Sequence, residues 1–558
     1  MEKSGAQILI ECLEREKVEI VFGYPGGMIL PVYDALRESR IKHVLTRHEQ
    51  AAAHAADGYA RATGRVGVCM ATSGPGAMNL ATGIATAFMD SIPVVAITGQ
   101  VHVASIGTDS FQEVDITGAT LPITKHNYLV KKVEDLPRIV KEAFHIASTG
   151  RPGPVLIDLP VDVANSRLSR YHYPEKVNLP GYKPTYQGHP LQIARAAKAI
   201  AQARQPVLYA GGGVISSGAA DELLQLVELT RIPVTTTLMG LGAIPGDHPL
   251  FLGMLGLHGT ACANYAVTEC DLLIAVGARF DNRVTGAINK FAPRARIIHI
   301  DIDPAEIGKN VAVEIPIVGD VKMVLRALLK HLSPGTETEW HQRIRQWKED
   351  FPLSYREVEG TLKPQYVIQQ VSELTSGKAI VVTDVGQHQM WTAQYYRFVE
   401  PRSLITSGGL GTMGYGFPAA VGAQMGFPGR PVVLITGEGS FQMNMQEMST
   451  AMAHGLPLKV VILNNGLLGM VRQLQEIFWG RRYSQVELQA MPDFVKLAEA
   501  YGAAGVRVTR KEDVRPVLEE ALGNGKLTLM DFVIDPAENV FPIVPGGKGL
   551  NEMLMGVD

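Results

Sequence analysis

Only four cysteines occur in 558 residues, and Cys12, Cys69, Cys262 and Cys270 stand far apart with no CxxC spacing. That excludes a structural zinc site built on cysteine pairs and a disulfide framework, and it fits a reducing cytosol. Net charge is nearly absent: 52 Lys+Arg against 55 Asp+Glu leaves -3. Composition therefore gives no electrostatic case for nucleic acid or an anionic membrane as partner. No uncharged apolar run reaches the ~20 residues needed to span a bilayer. The start, "MEKSGAQILIECLEREKVEIVFGYPGG", has neither a basic region followed by an apolar one nor an Arg/Ser-rich transit pattern. It enters an amphipathic helix and then a strand, so the expected location is the cytoplasm.

What is present is a well-packed globular composition, 46% hydrophobic and 19% charged. The chain is too long for one core, and its length suggests three domains. Apolar runs of four to seven residues alternate with helical patterns, the signature of parallel α/β sheets. The first third holds "VEIVFGY", "RVGVCMAT", "IPVVAITG" and "GPVLIDLP". Residues 171–190, rich in Pro and Gly, read as a linker. A second set follows: "QPVLYAGGG", "IPVTTT", "CDLLIAVGARF", "ARIIHIDID" and "EIPIVGD". A polar stretch from about His331 to Pro364 reads as a helix plus a second linker. The third set is "KAIVVTDVG", "SLITSGG", "RPVVLITGEGS", "LKVVILNN" and "TLMDFVI". The expectation is an α/β chain of three doubly wound parallel-sheet domains, at 1–168, 190–332 and 364–536, with a tail at 537–558.

One stretch of the third set carries chemistry. "ITGEGSF" places Glu438 between Gly437 and Gly439 at the carboxyl end of a strand predicted over 431–435. Asn464 and Asn465 end the next strand, and "FQMNMQEMSTAMAHG" between them reads as helix. In a βαβ unit those strand ends are neighbours, and open α/β sheets bind ligands just beyond them. A carboxylate and an amide oxygen would converge there, both hard donors suited to Mg²⁺, which completes its shell with phosphate oxygens. The flanking glycines let a diphosphate approach, and the following helix N-terminus favours negative charge. By itself the triplet also reads as a strand–turn–helix with acidic N-cap chemistry.

The triplet with its Asn-Asn pair resembles the thiamine diphosphate signature Gly-Asp-Gly…Asn-Asn, and the chain resembles the catalytic subunit of acetohydroxyacid synthases end to end. The resemblance implies Mg²⁺ held by Glu438, Asn465 and the carbonyl of Leu467. The family residue at 438 is aspartate; glutamate keeps the charge and adds a methylene, a strained replacement for an ion that demands near-octahedral geometry. It further implies a diphosphate grip from Gly386, Gln387 and His388 in "DVGQHQM" with Gly439 and Ser440. The aminopyrimidine ring would be held by Gly411 and Met413 in "GGLGTMGYGFPAA" and by Met470. Read blandly, that glycine run serves close helix–sheet packing.

In the first domain, "RHEQAAAHAADGYARATG" opens with Glu49. From the residues alone, Glu49 is an acid at a helix N-terminus, and among so many alanines its pKa should rise. The resemblance makes it the glutamate that hydrogen-bonds N1′ of the aminopyrimidine, with each active site built across a dimer. Gly27, Phe111, Gln112 and Lys125 would line the approach of the second substrate; without the family, Phe111 reads as core and Lys125 as a solvated charge. In the middle domain the three glycines of "YAGGGVISSG" are a weak dinucleotide signal. The resemblance implies a structural FAD against Arg151, Gly212, Leu255, Gly256, His258, Gly277, Arg279, Asp281, Asp301 and Asp320.

The implied activity is decarboxylation of pyruvate and condensation of the hydroxyethyl unit with a second 2-oxo acid, pyruvate or 2-oxobutanoate. The products would be 2-acetolactate or 2-aceto-2-hydroxybutanoate, on the way to branched-chain amino acids. Arg283 matches the family arginine that grips the second substrate's carboxylate, a job for a planar bidentate donor. Leu474 replaces a usual tryptophan, Leu257 a methionine, Asn282 an aspartate and His102 often a proline. These departures predict a weakened preference for 2-oxobutanoate and low sensitivity to channel-binding herbicides. A homodimer or homotetramer is expected, and a small regulatory subunit is a further candidate partner. A pyruvate oxidase-like flavoenzyme, or a silent scaffold owing to Glu438, are the alternative readings.

Overall fold

The computed structural model describes residues 2–556. Three six-stranded sheets dominate it, and every neighbouring strand pair within them is parallel. Parallel sheets are covered by helices on both faces, so their central strands read as unbroken apolar runs. Every residue of Gly67–Ala71, Val94–Gln100, Leu272–Val276 and Val432–Thr436 is buried.

Numbering strands by chain order within each sheet, the first sheet comprises Ile20–Gly23, Lys42–Leu45, Gly67–Ala71, Val94–Gln100, His126–Leu129 and Val155–Pro160. Its spatial order is 2-1-3-4-6-5. The third sheet comprises Ile380–Thr383, Leu404–Ile405, Val432–Thr436, Lys459–Asn464, Ala504–Val508 and Thr528–Val533 and repeats that order. The middle sheet comprises Pro206–Ala210, Val234–Thr236, Phe251–Met254, Leu272–Val276, Arg296–Asp301 and Ile315–Val318, in the order 3-2-1-4-5-6 that typifies dinucleotide-binding folds. Ligands of such sheets lie outside the carboxyl ends where the strand order reverses. That point falls between the first and third strands of both outer sheets, and between the first and fourth of the middle one.

Besides the two-residue pair Lys3–Ser4 and Arg167–Leu168, four strands of the large sheets escape the sequence reading: Lys42–Leu45, His126–Leu129, Phe251–Met254 and Ala504–Val508. All four lie at sheet edges. An edge strand is half exposed and lacks the continuous apolar run that marks a central one. The stretch after Gly439 also differs from expectation. It breaks into a short helix Glu438–Phe441, a 3₁₀ turn Met445–Glu447 and a helix Met448–Ala453. The helix-dipole contribution expected there for an anion is correspondingly small.

The first and third sheets are joined by a helix pair, Glu49–Thr63 and Gly416–Gly426. The contact is backbone to backbone: a Cβ on Gly58 would stand 2.7 Å from Ala419 Cα, and one on Gly422 2.7 Å from the carbonyl carbon of Ala55. One hydrophobic core runs from Phe22 and Leu156 through this pair to Leu434 and Leu529. The middle sheet keeps a core of its own around Leu208, Ile274 and Ile298. The tail stitches middle and third units together. Val544 N–H donates to Leu257 O (2.9 Å), Ala287 N–H to Lys548 O (3.0 Å), and Gln394 Nε2 to Phe541 O (3.1 Å).

Candidate active site

At the reversal point of the third sheet, the first strand ends at Thr383 and the third at Thr436, delivering the 384–388 and 437–440 turns side by side. Glu438 is 1% exposed, and burial pushes its carboxyl up to about 7. The Leu467 N–H donates to Glu438 Oε1 at 2.9 Å and to Asn465 Oδ1 at 3.1 Å, so the two side-chain oxygens converge on one spot. Glutamate at 438 thus reaches the Asn465–Leu467 turn without help. His388 lies against both Gly386 and Gly437; it is buried, its Nε2 has no partner, and burial holds its pKa down at about 3. Ser440 Oγ donates to Val385 O at 3.0 Å.

The glycine-rich loop is pinned to the same place. Asp384 accepts from the N–H groups of Val385 (3.0 Å), Gly414 (2.9 Å) and Gly416 (3.1 Å), and burial raises its carboxyl to about 6. A Cβ on Gly439 would lie 3.9 Å from Met413 Cε, and Gly411 is left-handed (φ 69°), where a Cβ would meet only Val385 Cγ1 at 3.9 Å. Met470 opens the half-buried helix Gly469–Phe478 beside the Asn465–Leu467 turn. Hard oxygen donors, a buried imidazole whose Nε2 lacks a partner and the uncrowded backbone at Gly411 together fit a Mg²⁺–diphosphate group.

At the reversal point of the first sheet, Glu49 begins its helix as expected, with His48 as N-cap. It is half-buried. Its Oε2 accepts from Asn79 Nδ2 at 3.0 Å, and its Oε1 lies 3.2 Å from where a Cβ of Gly76 would be. The helix's alanines pack on Gly416–Gly426 rather than on this carboxylate. Thr72 Oγ1 accepts from Met28 N–H at 3.3 Å, which brings Gly27 alongside. Gln112 is left-handed (φ 58°) with its backbone against Gly74, so Gly27, Glu49, Phe111 and Gln112 share one edge. Phe111 is 84% exposed, against the core position its residue type suggests. No hydrogen bond joins this cluster to Glu438, Asn465 or Leu467 among the described residues.

Lys125 departs from both readings. Its amine is part-buried and donates to Ile146 O (2.5 Å), Thr149 O (2.8 Å) and Tyr182 Oη (3.0 Å), satisfying carbonyls at the end of helix Leu136–Ser148. Burial lowers its pKa to about 8. Arg283 is exposed, and its guanidinium has no partner among the described residues. Leu257 lies beside it, its N–H donating to Arg283 O at 2.7 Å.

At the middle reversal point Gly211 and Gly213 pack on Gly277, which is left-handed (φ 58°). Gly212, Arg279 and Asp301 flank this crossing, and burial raises the Asp301 carboxyl to about 6. Other flavin candidates are engaged within the protein. Arg151 binds Asp303 (3.2 Å) and Glu306 (2.7 Å), His258 Nδ1 pairs with Pro542 O (3.0 Å), and Asp281 and Asp320 cap helices. Leu255 is buried, and Gly256 N–H donates to Asn264 Oδ1 at 2.8 Å. Arg279 pairs with Asp281 at 3.6 Å and Asp301 Oδ1 accepts from Asp303 N–H at 2.9 Å, so the fit to FAD rests on strand order and on the glycine crossing of Gly212 and Gly277.

The sequence reading missed the ion cluster behind these loops. Buried Arg61 bridges Asp57 (Nε–Oδ1, 2.6 Å) and Asp90 (Nη2–Oδ2, 2.8 Å), while the Tyr415 hydroxyl donates to Asp57 at 2.5 Å. Asp90 accepts from the N–H groups of Gly408 (3.0 Å) and Gly409 (2.7 Å). The signal was available: an Asp–Arg pair four apart inside an otherwise alanine-rich helix.

Family models for thiamine pyrophosphate enzymes match three stretches: the N-terminal TPP binding domain at residues 3–119, the central domain at 193–328, and the C-terminal TPP binding domain at 384–532. Fold and site thus define a thiamine diphosphate enzyme. The chain is 54% identical to a probable acetolactate synthase large subunit of Methanocaldococcus jannaschii, covering 98% of this chain and 94% of that protein. It is 49% identical to the acetolactate synthase large subunit of Haemophilus influenzae, over 99% and 98% of the two chains. It is 51% identical to that of Corynebacterium glutamicum, over 99% and 90%. The chain belongs to the acetolactate synthase large-subunit family.

Proposed function

We propose that the chain is an acetolactate synthase: it decarboxylates pyruvate and joins the two-carbon unit to a second 2-oxo acid. The observation that carries this is the convergence of Glu438 and Asn465 oxygens at the reversal point of the third sheet, beside the buried, unpartnered Nε2 of His388. Glu438, Asn465 and the Leu467 carbonyl would hold Mg²⁺, and Gly386, His388, Gly439, Ser440 and the main-chain N–H of Gln387 the diphosphate, since the Gln387 side chain is engaged by Gln473, Glu538 and Asn465. Gly411, Met413 and Met470 would seat the aminopyrimidine. When bound, thiamine diphosphate supplies the electron sink for loss of CO₂ and for carbon–carbon bond formation.

Glu49 holds a proton at N1′ of the aminopyrimidine, oriented by the Asn79 amide. Arg283 offers an unpaired planar guanidinium to the second substrate's carboxylate. The exposed Phe111 beside Glu49 supports active sites completed by a second copy of the chain, as a homodimer or homotetramer. Its relatives are named large subunits, which supports a small subunit as a further partner. The strand order of the middle sheet supports FAD there. No helix among the described residues is long and apolar enough to cross a membrane, and four free buried cysteines suit the cytoplasm.

The test is acetolactate formation from pyruvate with thiamine diphosphate, FAD and titrated Mg²⁺. The expected result is Mg²⁺-dependent product that falls at least ~100-fold in Glu49→Gln while cofactor binding persists. Absence of product at every Mg²⁺ concentration would overturn the reading, and bleaching of flavin during turnover would favour an oxidase.

A further inference from the structure

The two ends of a carboxamide have nearly the same shape, yet only the oxygen binds Mg²⁺. At Asn465 the Leu467 N–H marks the oxygen side, and the nitrogen side is set by a file of three amides that starts from the main-chain N–H and C=O of Val540, whose donor and acceptor are unambiguous. Val540 N–H donates to Gln473 Oε1 at 2.8 Å, and Val540 O accepts from Gln473 Nε2 at 3.0 Å. Gln473 must therefore turn its oxygen toward Gln387, whose Nε2 donates to it at 2.9 Å and to Glu538 O at 3.1 Å. With its NH₂ so engaged, Gln387 offers Oε1 to Asn465, whose Nδ2 donates at 3.4 Å. Asn465 Oδ1 is left on the side of Glu438 and the Leu467 N–H. Gln473 is fully buried. Gly469 closes the file from above: a Cβ there would sit 2.8 Å from Asn465 Nδ2.

We propose that Gln473 is a positioning residue for the cation: it carries the polarity of the Val540 peptide through Gln387 to Asn465 and keeps the amide oxygen on the metal side. The proposal rests on the Mg²⁺–thiamine diphosphate reading of the site. It makes the C-terminal segment part of the metal site without touching it. The same segment is clamped by Arg472 Nη2, which donates to Glu538 O (3.1 Å) and Ala537 O (3.3 Å), so a slip of the tail would release the orientation of Asn465.

Binding of Mn²⁺ in the presence of thiamine diphosphate, followed by the electron paramagnetic resonance of free Mn²⁺ with no substrate, tests this in the full chain. Gln473→Met keeps the bulk and removes the polarity; Mn²⁺ should bind about 10–100-fold more weakly, the range for an outer partner of a metal ligand. Gln473→Glu keeps an acceptor for both Val540 N–H and Gln387 Nε2 and should recover at least half of that logarithmic loss. A folded Gln473→Met that binds Mn²⁺ as tightly as the wild type overturns the role of Gln473. If Gln473→Met does not fold, Gln473→Glu decides alone, and a loss beyond about tenfold overturns the proposal. A wild type that binds no Mn²⁺ with thiamine diphosphate overturns the site reading itself, a distinguishable failure.

Discussion

Replacing Arg61 by methionine probes how the first unit grips the cofactor loop of the third. Arg61 is 6% exposed, and its guanidinium sits among carboxylates. It donates to Asp57 at 2.6 and 3.3 Å and to Asp90 at 2.8 Å, and it lies over the Tyr415 ring at 5.5 Å. Methionine would preserve much of the packing and leave two buried carboxylates without their cation. Removing one partner from a buried ion pair costs about 3–5 kcal/mol. The first and third units share one core, so a large cooperative unit carries the loss, and at ~2 °C per kcal/mol the melting temperature should drop by about 6–10 °C. Burial already holds the Asp57 carboxyl above its ordinary value, and losing Arg61 removes the main opposing influence. A carboxyl whose folded pKa is raised stabilises the fold below its unfolded value near 4 and loses that contribution as pH rises. The deficit of Arg61→Met should therefore shrink between about pH 8 and pH 5. Calorimetry of the apo chain at both pH values measures it, and proteolysis at residues 408–415 reports the loosened loop. A drop below about 2 °C at pH 8, or a deficit that grows in acid, refutes the reasoning.

Glu438→Gln keeps the reach to Leu467 N–H but removes the charge; the Mg²⁺ needed for half-saturation with thiamine diphosphate should rise at least ~tenfold in a fluorescence titration. Gly422→Ala puts a methyl 2.7 Å from the carbonyl carbon of Ala55 and 2.9 Å from Tyr59 N, at a cost of about 1–3 kcal/mol or more in thermal unfolding. Asp158 accepts from Thr98 (2.8 Å) and Gln100 (2.9 Å), yet burial pushes its carboxyl up to about 7. Its contribution is full below its unfolded value near 4 and fades as pH rises through 7, so Asp158→Asn should flatten that stretch of the stability profile. Leu474→Trp should shift competition toward 2-oxobutanoate by about 1–3 kcal/mol, read from product ratios in mixed-substrate assays.

The sequence by itself determined the three parallel sheets, because fully covered strands must be apolar at every position, and "RVGVCMAT", "CDLLIAVGARF" and "RPVVLITGEGS" are. It also pointed to the Glu438–Asn465 pairing, because consecutive strands of a βαβ unit are adjacent in most cases, and the Val432–Thr436 and Lys459–Asn464 strands are. Edge strands such as Ala504–Val508 stayed hidden, since half-exposed residues carry no such run. Only the tertiary structure decided what long-range contacts decide. It joined the outer sheets through Gly58 and Gly422, turned Lys125 into a cap for helix carbonyls, left Phe111 in solvent, and ran the tail back to Gln473. Those outcomes depend on which backbone meets which across hundreds of residues. Local periodicity and motif spacing carry no record of that, because a buried donor takes whatever acceptor the packed fold brings within reach.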